Sequence, residues 1–346
     1  MGKEDNMNQK FQNSLKRIPQ STPPIWFMRQ AGRYHKHYQA LRAKNGFMEL
    51  CKVPELAAEV AMGPIQDFDF DIAILFSDLL FPLEAMGMGL HYDPAPRLEW
   101  HLDESNITKL RPVNESLEGV MFQKEAMIHT RKRLPASKSL IGFVGGPWTL
   151  FTYAVEGAHK GGLEKSKRLN QLFSKFCEVL LPLMKKNIEL QLEGGAEVVM
   201  ILDTAAGELS PAFYQEIVVP QIEKMAKDFS GKVGYYAKQI QAPHLQHKLF
   251  KPGSPICGLG FDHRWDFTEV LPKYNLGFVQ GNFDQSLLFL EPQDFKVWAL
   301  RYLEGLKKLT AEQRAGWVCG LGHGVLPATP EENVRSFVQL VREVFS

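Results

Sequence analysis

Short apolar runs recur along this chain at fairly even spacing, and there are eight of them. They are residues 25–28 (IWFM), 71–76 (DIAILF), 140–144 (LIGFV), 197–202 (EVVMIL), 232–237 (KVGYYA), 255–260 (PICGLG), 276–281 (LGFVQG) and 316–321 (GWVCGL). Most are near-continuous hydrophobics rather than alternating ones. That pattern suits strands buried on both faces, as in a parallel sheet.

Segments with helical period lie between the runs. Residues 54–67 open on a proline at a plausible first turn. Residues 164–193 are long and amphipathic. Residues 210–229 begin SPAF, a serine cap followed by proline. Residues 291–307 and 330–345 close the series, the latter with Thr329 as cap and Glu332 completing a capping box. Strand then helix, repeated, means a parallel sheet, and eight repeats point to a single closed (β/α)8 TIM barrel within the α/β class. No GxGxxG follows the first run, which weakens a dinucleotide-binding alternative. With no low-complexity linker inside the chain, the expected division is a tail over residues 1–20, including a short helix, and one barrel domain over 21–346.

The chain has 346 residues and a formal net charge of +1, so no global field attracts nucleic acid. Any strongly positive site must be local. Cys51, Cys177, Cys257 and Cys319 form no CxxC pair. That argues against a zinc ribbon, a redox dithiol or a disulfide framework and fits a reducing compartment. The polar N-terminus lacks an apolar signal region, and Asn6 stands where a myristoylation motif wants Ser or Thr. No apolar run is long enough for a membrane span.

In such barrels chemistry gathers at the C-terminal ends of the strands. After the first run comes Arg29-Gln30-Ala31-Gly32-Arg33, and after the second Ser77-Asp78. Gly145-Gly146-Pro147-Trp148-Thr149 and then Tyr153 follow the third, and Asp203-Thr204 the fourth. Later runs are followed by Asp262, Asn282 and His323. Each has a plain reading. Asp78, Asp203 and Thr204 suit helix N-caps, Tyr153 a core aromatic, His323 a carbonyl partner, and the arginines a surface pair. What favours a site is that all fall where a barrel puts its chemistry. The pairs His35/His37 and His244/His247 have metal-compatible spacing but no obvious third ligand, so they are read as solvated faces.

Two of these stretches carry a resemblance. Residues 25–33 (IWFMRQAGR) and 142–157 (GFVGGPWTLFTYAVEG) resemble the two signature segments of the uroporphyrinogen decarboxylase family. DIAILFSD, LDTAAGELSP, VQGNFD and LGHGVLPATPEENV extend the likeness over roughly residues 20–345. The resemblance implies a (β/α)8 barrel that is cofactor-free and metal-free, usually homodimeric, and active in the cytoplasm on the route to haem. Its substrate would be uroporphyrinogen, an anionic tetrapyrrole, with no nucleic acid or membrane partner. By the same resemblance Arg29 and Arg33 bind substrate carboxylates, within a substrate-binding segment that includes Gln30, Ala31 and Gly32. Asp78 faces the pyrrole N–H groups, and Tyr153, Thr204 and His323 contact the substrate from the walls. Asp78, Arg29 and Tyr153 are the implied catalytic set. Three departures stand out: HKHY after the arginines, Ala205 after the Asp-Thr pair, and Cys319-Gly320 before LGHG.

The residue types suit that chemistry. A planar guanidinium grips a carboxylate at two points where lysine would not. Arg29 and Arg33 could face the same way if their segment turns helically, with Gly32 allowing the bend. A carboxylate in a dry pocket can offset a transient ring cation. Two rivals use the same residues differently. A cobalamin-linked methyltransferase of the same superfamily would need a His-x-Cys pair, which this chain lacks. A non-catalytic carrier of anionic tetrapyrroles would need only the arginines and Asp78.

Overall fold

The computed structural model describes residues 8–92 and 95–346. Asn6 and the first seven residues of the expected tail lie outside the described residues. Seven strands form one sheet: β1 (Ile72–Ile74), β2 (Ser139–Gly145), β3 (Val198–Leu202), β4 (Val233–Tyr236), β5 (Ile256–Gly260), β6 (Phe278–Phe283) and β7 (Trp317–Leu321). They neighbour one another in chain order, and every pair is parallel.

The first apolar run closes the ring without becoming a full strand. Cys319 N–H donates to Pro24 O at 2.9 Å and Trp26 N–H to Cys319 O at 3.0 Å, while on the other side Asp71 N–H donates to Ile25 O at 3.1 Å. Ile25 and Cys319 form a single parallel bridge. Pro24 has no N–H to offer a ladder. Ile25 N–H is taken by the Asp71 carboxylate at 2.9 Å, and Phe27 N–H by the Gln30 side chain at 3.3 Å. The eighth position of the barrel is filled, but side chains intercept its hydrogen bonds.

Side chains fill the barrel in two shells. Trp26, Ile72, Ile141, Met200, Phe278 and Val318 pack inside the ring of strands. A larger shell joins the outer strand faces to the helices. Those helices include α2 (Pro54–Phe68), α3 (Pro147–Glu156), α4 (Phe173–Glu193), α5 (Pro292–Lys307) and α6 (Glu331–Val344), whereas α1 (Gln9–Lys16) packs on the inner cluster.

Helix α1 seals the lower end. Asn8 caps it, accepting from Phe11 N–H at 3.1 Å, and donates to Asp71 and to Ser137 O. Gln12 reaches Glu197 at 3.1 Å and Ser14 donates to Trp317 O at 3.0 Å. All four partners lie at the strands' beginnings. Phe11 enters between them, its ring 5.9 Å from Phe278. The C-terminal strand ends are therefore left as the open mouth.

Three expected helices differ in detail. The stretch 164–193 breaks into Glu164–Arg168, a 3-10 turn at Asn170–Leu172, and α4. The Asn170 side chain donates to Lys167 O at 2.7 Å, competing with the helical backbone. In 210–229, Ser210 does cap, accepting from Phe213 N–H at 3.4 Å. Pro220 cannot donate, however, and the turn before it widens to π geometry over Tyr214–Val218. The capping box at Thr329 is not formed. Pro330 is the N-cap of α6, and the Thr329 hydroxyl is buried without a partner among the described residues.

Candidate active site

The segment from Arg29 to Arg33 is a chain of turns rather than a helix. The backbone bend falls at Arg29, whose φ is +56°, and Gly32 has no such conformation. A non-glycine residue in the left-handed region is uncommon and clusters at functional sites. Gln30 holds the bend. Its side chain, 1 % exposed, donates to Ile72 O at 2.9 Å and accepts from Phe27 N–H. Both polar ends of the Gln30 side chain are thus occupied inside the protein. Ala31 and Gly32 are half-buried in the same turn.

Arg29 and Arg33 are both exposed. Among the described residues neither takes part in an ion pair. Arg29 runs along Gly324, where a Cβ would stand 2.5 Å from its Cδ. The glycine after His323 therefore makes room for the arginine stem. Arg33 lies, with Arg42, beside Tyr38.

Asp78 follows β1 at the mouth. Its Oδ1 accepts from Leu80 N–H at 2.9 Å in an Asx turn, while the N-cap of the helix that follows is Leu80, not Asp78. Burial raises its carboxyl above the ordinary range; Leu80 N–H, the Tyr92 hydroxyl and the Arg29 charge oppose that rise. Tyr153, on α3, is half-buried. Burial and then the Asp78 charge raise its phenol, while Arg29 lowers it. Arg29, Asp78 and Tyr153 therefore share one local field.

His323 is the fourth member. The Tyr236 hydroxyl donates to Gly322 O at 2.8 Å and lies 3.2 Å from His323 Nδ1, with the two rings stacked at 6.2 Å. Since the hydroxyl proton goes to Gly322, Nδ1 carries the imidazole proton and Nε2 is left as an acceptor. Burial first, then the charges of Arg29, Lys238, His159 and His263, push its pKa from 6.5 down to about 3. A neutral His323 across the working pH range is the result.

This depressed pKa makes stability depend on pH. Below 6.5 the unfolded imidazole takes a proton that the folded one refuses until about 3, so stability falls as pH drops through that window. Asp203, raised by burial from 3.8 to about 6, acts in the opposite sense, favouring the fold as pH falls through its own window. Comparison with His323→Gln isolates the histidine. Urea denaturation between those limits should show a shallower loss of stability on acidification in the variant, by up to about one proton. Equal slopes would mean that His323 is not held neutral.

Asp203, Asp262 and Asn282, also expected at the mouth, are scaffold. Asp203 accepts from Thr149 N–H at 2.8 Å and Thr149 Oγ1 at 2.7 Å, and Thr149 Oγ1 accepts from Ala205 N–H at 3.0 Å. This knot ties the end of β3 to the start of α3. It requires Gly146, where a Cβ would fall 2.2 Å from Asp203. Thr149→Val should cost about 2–3 kcal/mol in urea denaturation, because it removes a donor to a buried carboxylate and an acceptor for a buried N–H. Ala205 is itself fully buried, so its small side chain does not form a mouth wall. Asp262 accepts from Gln239 N–H and Arg264 N–H, and Asn282 donates to Asp262 O and Trp265 O. Thr204 is half-buried at the end of β3 and makes no hydrogen bond among the described residues.

The histidine pairs are not all solvated faces. His35, 1 % exposed, binds Asp67 at 2.7 Å, and His37 lies 3.1 Å from Glu59 O. His244, 3 % exposed, bridges Gln241 N–H and Leu209 O, and His247 accepts from Leu249 N–H. Among the described residues no group of three His, Cys, Asp or Glu side chains is placed to hold a metal. Tyr92 was missed altogether. It lies well beyond Asp78 in a short hairpin with no motif, and only the fold returns it to the carboxylate.

Comparison with known proteins identifies the family. A family model described as Uroporphyrinogen decarboxylase (URO-D) matches residues 6–344. The chain is 35% identical over 354 residues to the uroporphyrinogen decarboxylase of Chlorobium phaeobacteroides, covering 97% of each. It is 35% identical over 347 residues to that of Myxococcus xanthus, covering 97% of this chain and 96% of the relative. Among solved structures, a methyltransferase from Methanosarcina mazei shares the fold with a TM-score of 0.75 at 19% identity, over 98% of this chain and 99% of that one.

Proposed function

This chain belongs to the uroporphyrinogen decarboxylase family, and from that premise we propose how its mouth divides the work of the reaction. The enzyme, a carboxy-lyase of porphyrin biosynthesis, removes CO₂ from the four acetate arms of uroporphyrinogen III and leaves methyl groups, giving coproporphyrinogen III. One observation carries the division of labour: a half-buried carboxylate, Asp78, shares a local field with a cation that has no ion-pair partner among the described residues, Arg29, and with a phenol, Tyr153.

Breaking the acetate C–C bond leaves an electron pair on the methylene carbon. The pyrrole can accept it without an added cofactor. A proton adds to the ring carbon and makes an iminium cation. The C–C bond then breaks, CO₂ departs, and the pair becomes an exocyclic double bond. A proton adds to the methylene carbon, and loss of the ring proton restores the pyrrole. Each turnover consumes one proton net.

Asp78 offsets the ring cation and accepts from the pyrrole N–H groups. One charge pair at ~4 Å is worth about 4 kcal/mol at an effective dielectric near ~20, against about 1 in water. Preorganised charge of this kind is usually the largest catalytic contribution. Arg29 and Arg33 hold carboxylate arms, which explains a local positive site on a chain of nearly neutral charge. Tyr153 steadies the reacting arm, neutral His323 presents an acceptor from the wall, and Thr204 supplies a hydroxyl opposite. Ala31 and Gly32 contribute backbone in the arginine turn. The same reading takes the enzyme as a cytoplasmic homodimer, as the resemblance implies; no helix among the described residues is long and apolar enough to cross a membrane.

Anaerobic incubation with uroporphyrinogen III tests the proposal. Chromatography should show passage from eight carboxylates to four with matching CO₂ release. Tight binding without CO₂ release would instead identify a carrier.

A further inference from the structure

The hairpin beyond Asp78 holds a polar group that the scheme above leaves unused. His91–Tyr92 pairs antiparallel with Pro96–Arg97. The Tyr92 ring packs on Phe47 with centroids 4.5 Å apart, and Phe47 meets Phe76, just before Asp78, at 6.2 Å. This stack buries the Tyr92 hydroxyl, which has no hydrogen-bond partner among the described residues. Buried hydroxyls are nearly always paired, so an orphan beside a mouth calls for a function.

Asp78 is the acceptor that faces it. The two groups influence each other: the carboxylate helps keep the phenol protonated, and the phenol opposes protonation of the carboxylate. The hydroxyl lies close enough to act on the Asp78 carboxylate but falls outside full hydrogen-bond geometry to it. The other groups around Asp78 are the Leu80 N–H, Arg29, Tyr153 and Cys51. Arg29 is exposed and free to turn to substrate. Leu80 serves only Oδ1. A second donor is needed to hold Oδ2 and stop the carboxyl group from rotating.

We propose that Tyr92 is a positioning residue for Asp78: with substrate bound, its hydroxyl donates to the carboxylate oxygen that Leu80 leaves free and fixes the remaining lone pairs toward the macrocycle. This rests on the role given to Asp78 above. Tyr92 contributes one proton donor and keeps its proton throughout, so it steadies the anion without neutralising it.

Tyr92→Phe keeps the ring stack on Phe47 and deletes only the hydroxyl. The acid limb of kcat/KM should move up by about one pH unit, the size expected for one hydrogen bond to a charged group. KM above neutral pH should stay within about twofold. A merely structural loss would lower kcat by one factor at every pH and leave the limb in place, and that result overturns the proposal. Replacement of Tyr92 by 3-fluorotyrosine, a stronger donor of nearly the same size, should move the limb the other way; no movement there also counts against it. Asp78→Asn measured alongside separates the two ideas. If Asp78→Asn is slow yet Tyr92→Phe leaves the limb unmoved, only Tyr92 is misassigned. If Asp78→Asn turns over at wild-type speed, both assignments fall.

Discussion

Asp78→Asn is expected to fold normally and to lose about two to three orders of magnitude in kcat, as for removal of one preorganised charge. The amide is nearly the same size and can still accept from Leu80 N–H, so the local turn persists. What goes is the negative charge facing the ring cation. Stability should move in the opposite direction from activity. Burial raises the Asp78 carboxyl. An acid whose folded pKa is raised binds protons more readily folded than unfolded, so its ionisation disfavours the fold as pH rises through that range. Asparagine removes this cost, and the variant should be at least as stable as the parent at neutral pH. Single-turnover assays with uroporphyrinogen beside thermal denaturation measure both. Wild-type turnover in Asp78→Asn would sink the electrostatic role. The parent's acid limb should lie above the ordinary carboxylate value of about 3.9 and vanish in the variant.

Arg29→Lys should lower kcat/KM by roughly 10- to 100-fold, mostly through KM, because a charge-assisted two-point contact becomes a single point. The substitution keeps the charge and so isolates the fork. Arg29 is placed with care: its φ is +56°, Gln30 pins the turn, and Gly324 leaves space for its stem. Lysine has the same need for that space but cannot reproduce the planar geometry at the far end. Arg33 is exposed beside Arg42 and Tyr38 and is not among the charges acting on Asp78, Tyr153 or His323. Arg33→Lys should therefore cost only a few-fold, with marked dependence on salt, as for a screened rim charge. Equal effects at the two positions would mean that the inner arginine has no special grip.

The fold was legible because its signal is redundant. Seven of the apolar runs became strands, and the parallel order follows from the helices between them. The first run was read correctly in place but not in form, since Asp71 and Gln30 take hydrogen bonds that a ladder would use. Such interception depends on residues distant in sequence, which local pattern does not reveal. Helix 164–193 was read as continuous because hydrophobic period survives a break that Asn170 makes through one backbone carbonyl. The mouth was legible by position, and Arg29, Asp78, Tyr153 and His323 do come together electrostatically. Position alone could not separate lining residues from scaffold. Gln30 and Arg29 are neighbours in one motif, yet one faces the strands and the other the mouth. Tyr92 escaped because a two-residue strand carries no periodicity to read.

Because α1 fills the lower end of the barrel, with Phe11 against Phe278, substrate and product share a single doorway. Four acetates must be removed in turn by one set of groups. In the role proposed above, Asp78 meets the tetrapyrrole at its centre, the point toward which its pyrrole N–H groups converge. A quarter-turn about that pivot presents the next arm with the central contact preserved. Otherwise the partly processed molecule must leave and return through the same door. The proportion of seven-, six- and five-carboxylate species released to the medium measures how often the macrocycle spins in place rather than departs.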